Sequence, residues 1–366
     1  MVISAMAARL TLRPLGLEPG PPAEGTRLLA GGPLHFAACE AVVREAGEGG
    51  VREIARARLS QDDVEAWAGR FGPDCAAQAA RQLAALSAPR VPFAGLALDR
   101  PRLMGILNVT PDSFSDGGDR FDAGRAVADG LAMREAGADI LDVGGESTRP
   151  GAAPVAPAEE ARRVLPVVRA LAEAGALVSI DTRRARVMAA ALEAGARIVN
   201  DVTALTHDPE SLPLIAQAGV PVVLMHMQGE PQTMQANPVY ADAPLDIRDY
   251  LEARLEACEA AGVPRARIAL DPGIGFGKAL EHNLKILDQL AVLHGLGCPL
   301  LLGVSRKSFI SKAVPGVPPK GRLPGSLTAG LAGLARGAQI LRVHDVAETA
   351  QAVAIWAAIQ GVGKSP

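Results

Sequence analysis

Polar side chains recur in this chain at the carboxyl ends of short apolar runs, and they sort into two chemistries. Asp181, Asn200 and Asp271 are acceptors and an amide of the kind that hold an uncharged ring bearing several N–H donors. Lys307, Arg342 and His344 face the opposite need, an anion, and a forked guanidinium beside an imidazole suits phosphate oxygens. Asn108, Gly144-Gly145-Glu146, Asp201, His226, Ser305 with Arg306, and Asp345 end runs as well. Chains turn where strands end, so each position taken alone reads as a turn or cap residue. Their convergence from eight runs is the informative feature, with the acidic and amide groups expected in one cup and the basic groups on its far lip.

The elements that would position them are LMGILNV (103–109), ADILDVGG (138–145), LVSIDT (177–182), RIVND (197–201), PVVLMHM (221–227), IALDPG (268–273), PLLLGVS (299–305) and QILRVHD (339–345). Near-continuous apolar runs of this kind are strands buried on both faces. Each is followed by an Ala/Leu/Arg/Glu-rich stretch long enough for a right-handed crossover, such as GRAVADGLAMREAG (124–137). Eight such units predict an α/β fold, a (β/α)8 TIM barrel over residues 91–366, whose site lies at the carboxyl ends of the strands. A doubly wound sheet would stop near five or six strands and open on a Gly-rich turn. The first turn here reads NVTPDSFSDGG instead.

Residues 1–90 read as an added segment of unassigned role, with EPGPPAEG (18–25) and SAPRVP (87–92) as breaks. Helices are expected over 36–58 and 61–86, the second opened by Ser60, making the extension mainly helical. In the barrel, the strand-end loops 110–121 and 146–157 carry Gly, Pro and Ser with Phe114 and read as closing lids.

Bulk composition narrows the partners. A formal charge of −3 and pI near 6.1 give no general attraction to nucleic acid or anionic membrane. Arg9 and Arg13 interrupt the apolar N-terminus, so no export signal or span is expected. Cys39, Cys75, Cys258 and Cys298 are scattered without a C-x-x-C pair, which fits a reducing cytoplasm better than a zinc or disulfide framework.

Eight ordered motifs carry a family resemblance: MGILNVTPDSFSDGG (104–118), LDVGGESTRPG (141–151), SIDT (179–182), ND (200–201), MHMQG (225–229), DPGIGFGK (271–278), GVSRKSFI (303–310) and RVHDV (342–346). Together they resemble the dihydropteroate synthase family over residues 93–360. The resemblance implies condensation of 6-hydroxymethyl-7,8-dihydropterin pyrophosphate with 4-aminobenzoate in folate synthesis, by an SN1-like step assisted by Mg2+. It assigns Asp181, Asn200, Met225, Asp271, Phe276 and Lys307 to the pterin, and Asn108, Arg342 and His344 to the pyrophosphate, with Asn108 also on the metal. Asp181, Lys307, Arg342 and His344 form the implied catalytic set, Asp181 stabilising the positive charge left on the methylene. Phe114, Asp116, Thr148, Arg149, Pro150 and Ser308 are implied around the aminobenzoate, with an Asp116–Arg149 ion pair as the expected latch. A homodimer is the expected assembly.

Three rival readings attach to the same residues. A methyltetrahydrofolate:corrinoid methyltransferase would share the Asp/Asn pocket but has no need of an anion clamp. A Schiff-base aldolase would use Lys307 as nucleophile, which Arg306 and Ser308 beside it argue against. A catalytically inactive paralogue would bind without turnover, although every expected polar position is filled. His226 reads as site-lining or core, while His35, His207, His282 and His294 carry no role, and Lys320 with Arg322 form a basic loop near SRKS.

Overall fold

The computed structural model describes residues 8–20, 22–47, 50–110, 123–147, 155–230 and 233–361. In the N-terminal extension the chain runs through strands β1 (Arg9–Leu15), β2 (Glu18–Pro19), β3 (Arg27–Leu28), β4 (Leu34–Phe36), β5 (Ala38–Gly47) and β6 (Gly50–Ser60), then helices α1 (Val64–Gly69) and α2 (Pro73–Ser87). Two antiparallel sheets form, ordered β1-β5-β6 and β2-β4-β3. The helix expected over 36–58 is therefore overturned, and the extension is not mainly helical. Its Ala, Glu and Arg content imitates a helix, but β5 is buried on both faces and shows no simple alternation. Cys39, Ala41 and Val43 join the core beneath α2, and Val42 packs with the barrel core on the other side. The sequence GEGG (47–50), from the last residue of β5 to the first of β6, reads as turn chemistry, and β-branched Val42, Val43, Val51 and Ile54 favour strands. The second expected helix exists as two pieces, broken where Gly72 takes φ 108° before Pro73.

Strands β7 (Arg102–Asn108), β8 (Ile140–Gly144), β9 (Val178–Asp181), β10 (Ile198–Asp201), β11 (Val222–Met225), β12 (Ile268–Asp271), β13 (Leu301–Gly303) and β14 (Ile340–Val343) are parallel and make one eight-stranded sheet. Its order runs β12-β11-β10-β9-β8-β7-β14-β13. The two ends meet where Leu270 pairs with Leu300, the Leu270 N–H donating to the Pro299 carbonyl at 2.9 Å. The barrel expected from the sequence is thus present. Helices α3 (Ala123–Glu135), α4 (Pro157–Glu173), α5 (Ala185–Glu193), α6 (Ser211–Ala218), α7 (Ala243–Ala260), α8 (Leu280–Asp288), α9 (Ser308–Ala313), α10 (Leu323–Leu334) and α11 (Val346–Ile359) surround it.

Strand side chains alternate between the barrel interior and the helix layer, so one interior residue fixes the facing of its whole strand. Met104, Ile140, Ile198, Val223, Ala269, Leu301 and Ile340 form the apolar floor of the interior, closed from below by Phe93 and Leu98. Stepping by two places Asn108, Asp142, Gly144, Asn200, Met225, Asp271, Gly303 and Arg342 above that floor.

The extension docks on the outside of the barrel, against the segment before β13 and against α7. Arg90 donates to the carbonyls of Cys298 at 3.2 Å and His294 at 3.0 Å. Buried Arg44 on β5 pairs with Asp249 of α7 at 2.8 Å. No helix of the described residues is long and apolar enough to cross a membrane.

Candidate active site

Register brings the first four strand ends level. Asn108 lies opposite Gly144, Gly144 opposite Asp181, and Asp181 opposite Asn200. On the other side Met225 pairs with Asp271, and Gly303 with Arg342. Glycines keep the space between these groups open. A β-carbon on Gly303 would sit 3.7 Å from Lys307 Nζ and 3.9 Å from Asp271 Oδ2, and one on Gly144 3.6 Å from Asp181 Oδ2.

The acidic and basic groups interleave within one cup. Arg342 donates through Nε to Asp142 Oδ2 and through Nη2 to Asp181 Oδ2, both at 2.6 Å. Asn200 Nδ2 donates to that same Asp142 Oδ2 at 2.9 Å. Lys307 Nζ donates to the Ile274 carbonyl and lies 4.7 Å from the centre of the Phe276 ring. Asp271 Oδ1 accepts the Gly273 N–H at 2.7 Å, which leaves Oδ2 directed at the space beside Gly303. The far-lip arrangement expected for the cations is thus corrected: the Arg342 stem reaches inward to pair with Asp142 and Asp181, and Lys307 reaches inward to the Ile274 carbonyl.

Burial sets the titration of these groups. It pushes Asp181 up to about 7, against the lowering effect of Arg342 and with help from the negative charge of Asp142. Asp271 is raised by the same cause, partly offset by Lys307. Lys307 is lowered to about 8 by burial, opposed by Asp271. Burial also works against the Arg342 charge, but Asp142 and Asp181 outweigh it and move the guanidinium pKa upward.

The other expected residues fall around this cluster. Met225 is buried at the cup wall and Phe276 is half-buried beside Lys307. His344 is half-buried with Nδ1 3.0 Å from Ser305 Oγ, and Ser308 is exposed at the first turn of α9. Asn108 is half-buried at the end of β7. Phe114, Asp116, Thr148, Arg149 and Pro150, the expected Asp116–Arg149 latch among them, lie outside the described residues.

Two strand-end groups turn out to be structural. Asp201 accepts the Thr203 N–H and hydroxyl, each at 2.7 Å, and the Leu205 N–H at 3.0 Å, so it is spent on its own turn. His226 points away from the interior into a cage of Tyr240 and Tyr250, with Nδ1 2.9 Å from buried Lys278. Burial first, and then the Lys278 charge, lower its pKa to about 2, so it stays neutral.

Sequence reasoning missed Asp142, a fully buried carboxylate that ties Asn200 to Arg342. The available signal was a charged residue in mid-strand, in ILDVG, at the same interior phase as Gly144. Also missed was the support for the second loop. Glu146 accepts the Val155 N–H at 3.2 Å and pairs with Arg184 at 2.9 Å and Arg183 at 3.3 Å.

Fold and cup together define a (β/α)8-barrel enzyme with adjoining places for a flat, N–H-rich ring and an anion. The sequence profile of the pterin binding enzyme family matches residues 104–344. The dihydropteroate synthase of Escherichia coli K12 is 47% identical over 261 residues, covering 71% of this chain and 92% of its own length. That of Neisseria meningitidis serogroup B is 49% identical over 269 residues, covering 72% and 94%. Among solved structures, Xanthomonas albilineans dihydropteroate synthase with 4-aminobenzoic acid superposes with a TM-score of 0.70 at 48% identity, covering 75% of this chain and 99% of that one. The same enzyme in complex with 7,8-dihydropteroate gives 0.68 at 45% identity, covering 75% and 100%. The chain belongs to the dihydropteroate synthase family of pterin-binding enzymes, transferases that form a C–N bond.

Proposed function

We propose that this chain joins 6-hydroxymethyl-7,8-dihydropterin diphosphate to 4-aminobenzoate, forming 7,8-dihydropteroate and releasing pyrophosphate. The observation that carries the reading is the cup itself, in which Asp142, Asp181, Asn200 and Asp271 share one enclosure with Arg342 and Lys307. Asp271 would take two N–H bonds from the 2-aminopyrimidine edge, a bidentate match. Asn200 and Asp181 would hold the remaining ring edge, Lys307 its oxygen side, and Met225 and Phe276 its faces.

Among the described residues three carboxylates stand against two cations in the enclosure, an acidic balance that favours positive charge developing on the pterin methylene. In the proposed step the methylene C–O bond breaks with its electron pair leaving on the diphosphate. The arylamine nitrogen then bonds to the methylene carbon and loses its proton to water. Arg342 and His344 would balance the departing charge, so no enzyme base is needed. Ser308, on the first turn of α9, would face the aminobenzoate together with Phe114, Asp116, Thr148, Arg149 and Pro150.

Magnesium fits as a group held mainly by the substrate. Among the described residues no three His, Cys, Asp or Glu side chains are grouped to hold a metal. Mg2+ keeps several waters and commonly takes its other ligands from phosphates, so the Asn108 side-chain oxygen would be the protein contribution. When bound it would neutralise diphosphate charge.

A homodimer is supported by α11, whose outer face carries Ala354, Ile355, Ala358 and Ile359, with Ile355 59% and Ile359 75% exposed. The four cysteines, all free and buried, support a reducing cytoplasmic setting.

The test is pyrophosphate release by the purified chain. Release that requires both the pterin diphosphate and 4-aminobenzoate supports the proposal. Methyl transfer from methyltetrahydrofolate, or ligand binding without any release, would replace it.

A further inference from the structure

Among the described residues Asp142 is the only charged group of the cup with no exposed surface at all, against 14% for the Asp181 side chain and 20% for Arg342. It sits one interior step below the strand-end layer, in register with Ile106 and Ser179. Its Oδ2 accepts both Asn200 Nδ2 and Arg342 Nε, while buried Oδ1 has no hydrogen-bond partner. A charge buried this deeply is costly unless its partners are fixed, so Arg342 Nε and Asn200 are held in place. The outer end of the guanidinium is a different matter. Nη2 rests on Asp181, the very carboxylate the pterin needs, and the two Nη groups carry four of the five guanidinium N–H bonds.

We propose that Asp142 is a positioning residue that pins Arg342 at Nε, so that the outer end of the guanidinium exchanges Asp181 for the substrate diphosphate and thereby releases Asp181 to the pterin. The inference rests on the proposed pterin diphosphate chemistry and deepens it. A diphosphate offers more charge and more oxygens than one carboxylate, so it wins the Nη end in a bidentate contact. Asp142 retains the Nε end, and the guanidinium pivots instead of leaving. The Asp181 oxygen given up by Arg342 then meets ring N–H donors. Binding of the anion and of the ring are coupled by this exchange, and coupling of that kind is reciprocal.

Calorimetry on the unaltered chain tests the exchange without any risk of misfolding. Bare 6-hydroxymethylpterin is titrated with and without saturating inorganic pyrophosphate and Mg2+, after turnover has been measured on the same preparation. The expected result is pterin binding at least about fivefold tighter with pyrophosphate. Turnover without such tightening overturns the exchange and leaves the synthase reading standing, whereas absent turnover overturns both. The positioning role is tested by Asp142→Asn, which keeps the shape and removes the charge. Asp181 is faced by Arg342, Asp142, Glu160 and Asp201, so loss of the Asp142 charge lowers its pKa. The acid limb of kcat/KM should move down by about one pH unit, and KM for the pterin diphosphate should rise by about tenfold. A variant that lowers only Tm or the active fraction, with limb and KM unmoved, marks Asp142 as structural and overturns the proposal.

Discussion

Replacing Asp271 by Asn changes one oxygen to an amide nitrogen at the base of the cup. The side chain is 5% exposed, and its Oδ1 accepts the Gly273 N–H at 2.7 Å. In the wild type the carboxylate has lone pairs left on both oxygens for the two parallel N–H groups of a 2-aminopyrimidine edge. Each hydrogen bond to a charged group contributes about 1.5–3 kcal/mol. The amide keeps one acceptor and turns a donor against the other N–H. The carboxylate is already disfavoured by burial, which reduces what its loss costs. A net loss of about 3–4 kcal/mol follows, or pterin binding weaker by about 10²- to 10³-fold. The fold should survive, because removing a desolvated charge offsets the isolation of Lys307. Tm should therefore move by no more than about 4 °C. Calorimetry with a bare pterin reads the affinity and scanning calorimetry the stability. Unchanged pterin affinity in a folded variant would refute the assignment of Asp271, and so would affinity lost only through unfolding.

Other consequences follow from the same geometry. Asp181, raised to about 7 in the free protein, must be ionised to stabilise positive charge, so kcat/KM for the pterin diphosphate should fall below about pH 7 and the fall should disappear in Asp181→Asn along with most activity. Because the folded pKa lies above the usual value, the stability linked to this group is fully present below about pH 4 and is lost as pH rises through about 7. Urea unfolding against pH should show that decline in the wild type and not in Asp181→Asn. Arg342→Ala should weaken the pterin diphosphate more than bare pterin and, by stranding Asp142 and Asp181, lower stability by about 3–5 kcal/mol; equal losses for the two ligands would contradict the clamp. Gly273→Ala would place a β-carbon 1.9 Å from the His226 carbonyl oxygen at φ +67°, so denaturant titration should show a loss of at least about 1–3 kcal/mol from strain. Ile355→Glu with Ile359→Glu should yield monomers by light scattering if α11 forms the dimer face, and a persistent dimer would move the interface elsewhere.

Much of the barrel was legible because strands buried on both faces leave unbroken apolar runs, and because their polar terminations coincide with the mouth. All eight expected strands are present. The interior phase could be read as well, since stepping by two from Ile340 reaches Arg342 and from Ala269 reaches Asp271. What ran against expectation did so for local reasons. β5 is covered on both faces and carries Glu40 and Arg44 four residues apart, a spacing that imitates a helix surface. Those groups are ion-paired instead, with Arg13 and with Asp249. Asp142 was hidden inside an apolar strand, where a carboxylate is read as a motif letter until its partners from β10 and β14 arrive. The inward reach of Arg342 and Lys307 was equally invisible, because strand position fixes where a stem begins and not where its charged end rests.

Mass-spectrometric detection of 7,8-dihydropteroate, formed by the purified chain from the pterin diphosphate, 4-aminobenzoate and Mg2+, tests the account most directly. The account predicts product equal in amount to the pyrophosphate released, and its loss when Asp181 or Asp271 is replaced by Asn. A folded chain that binds pterin yet forms no dihydropteroate would contradict it.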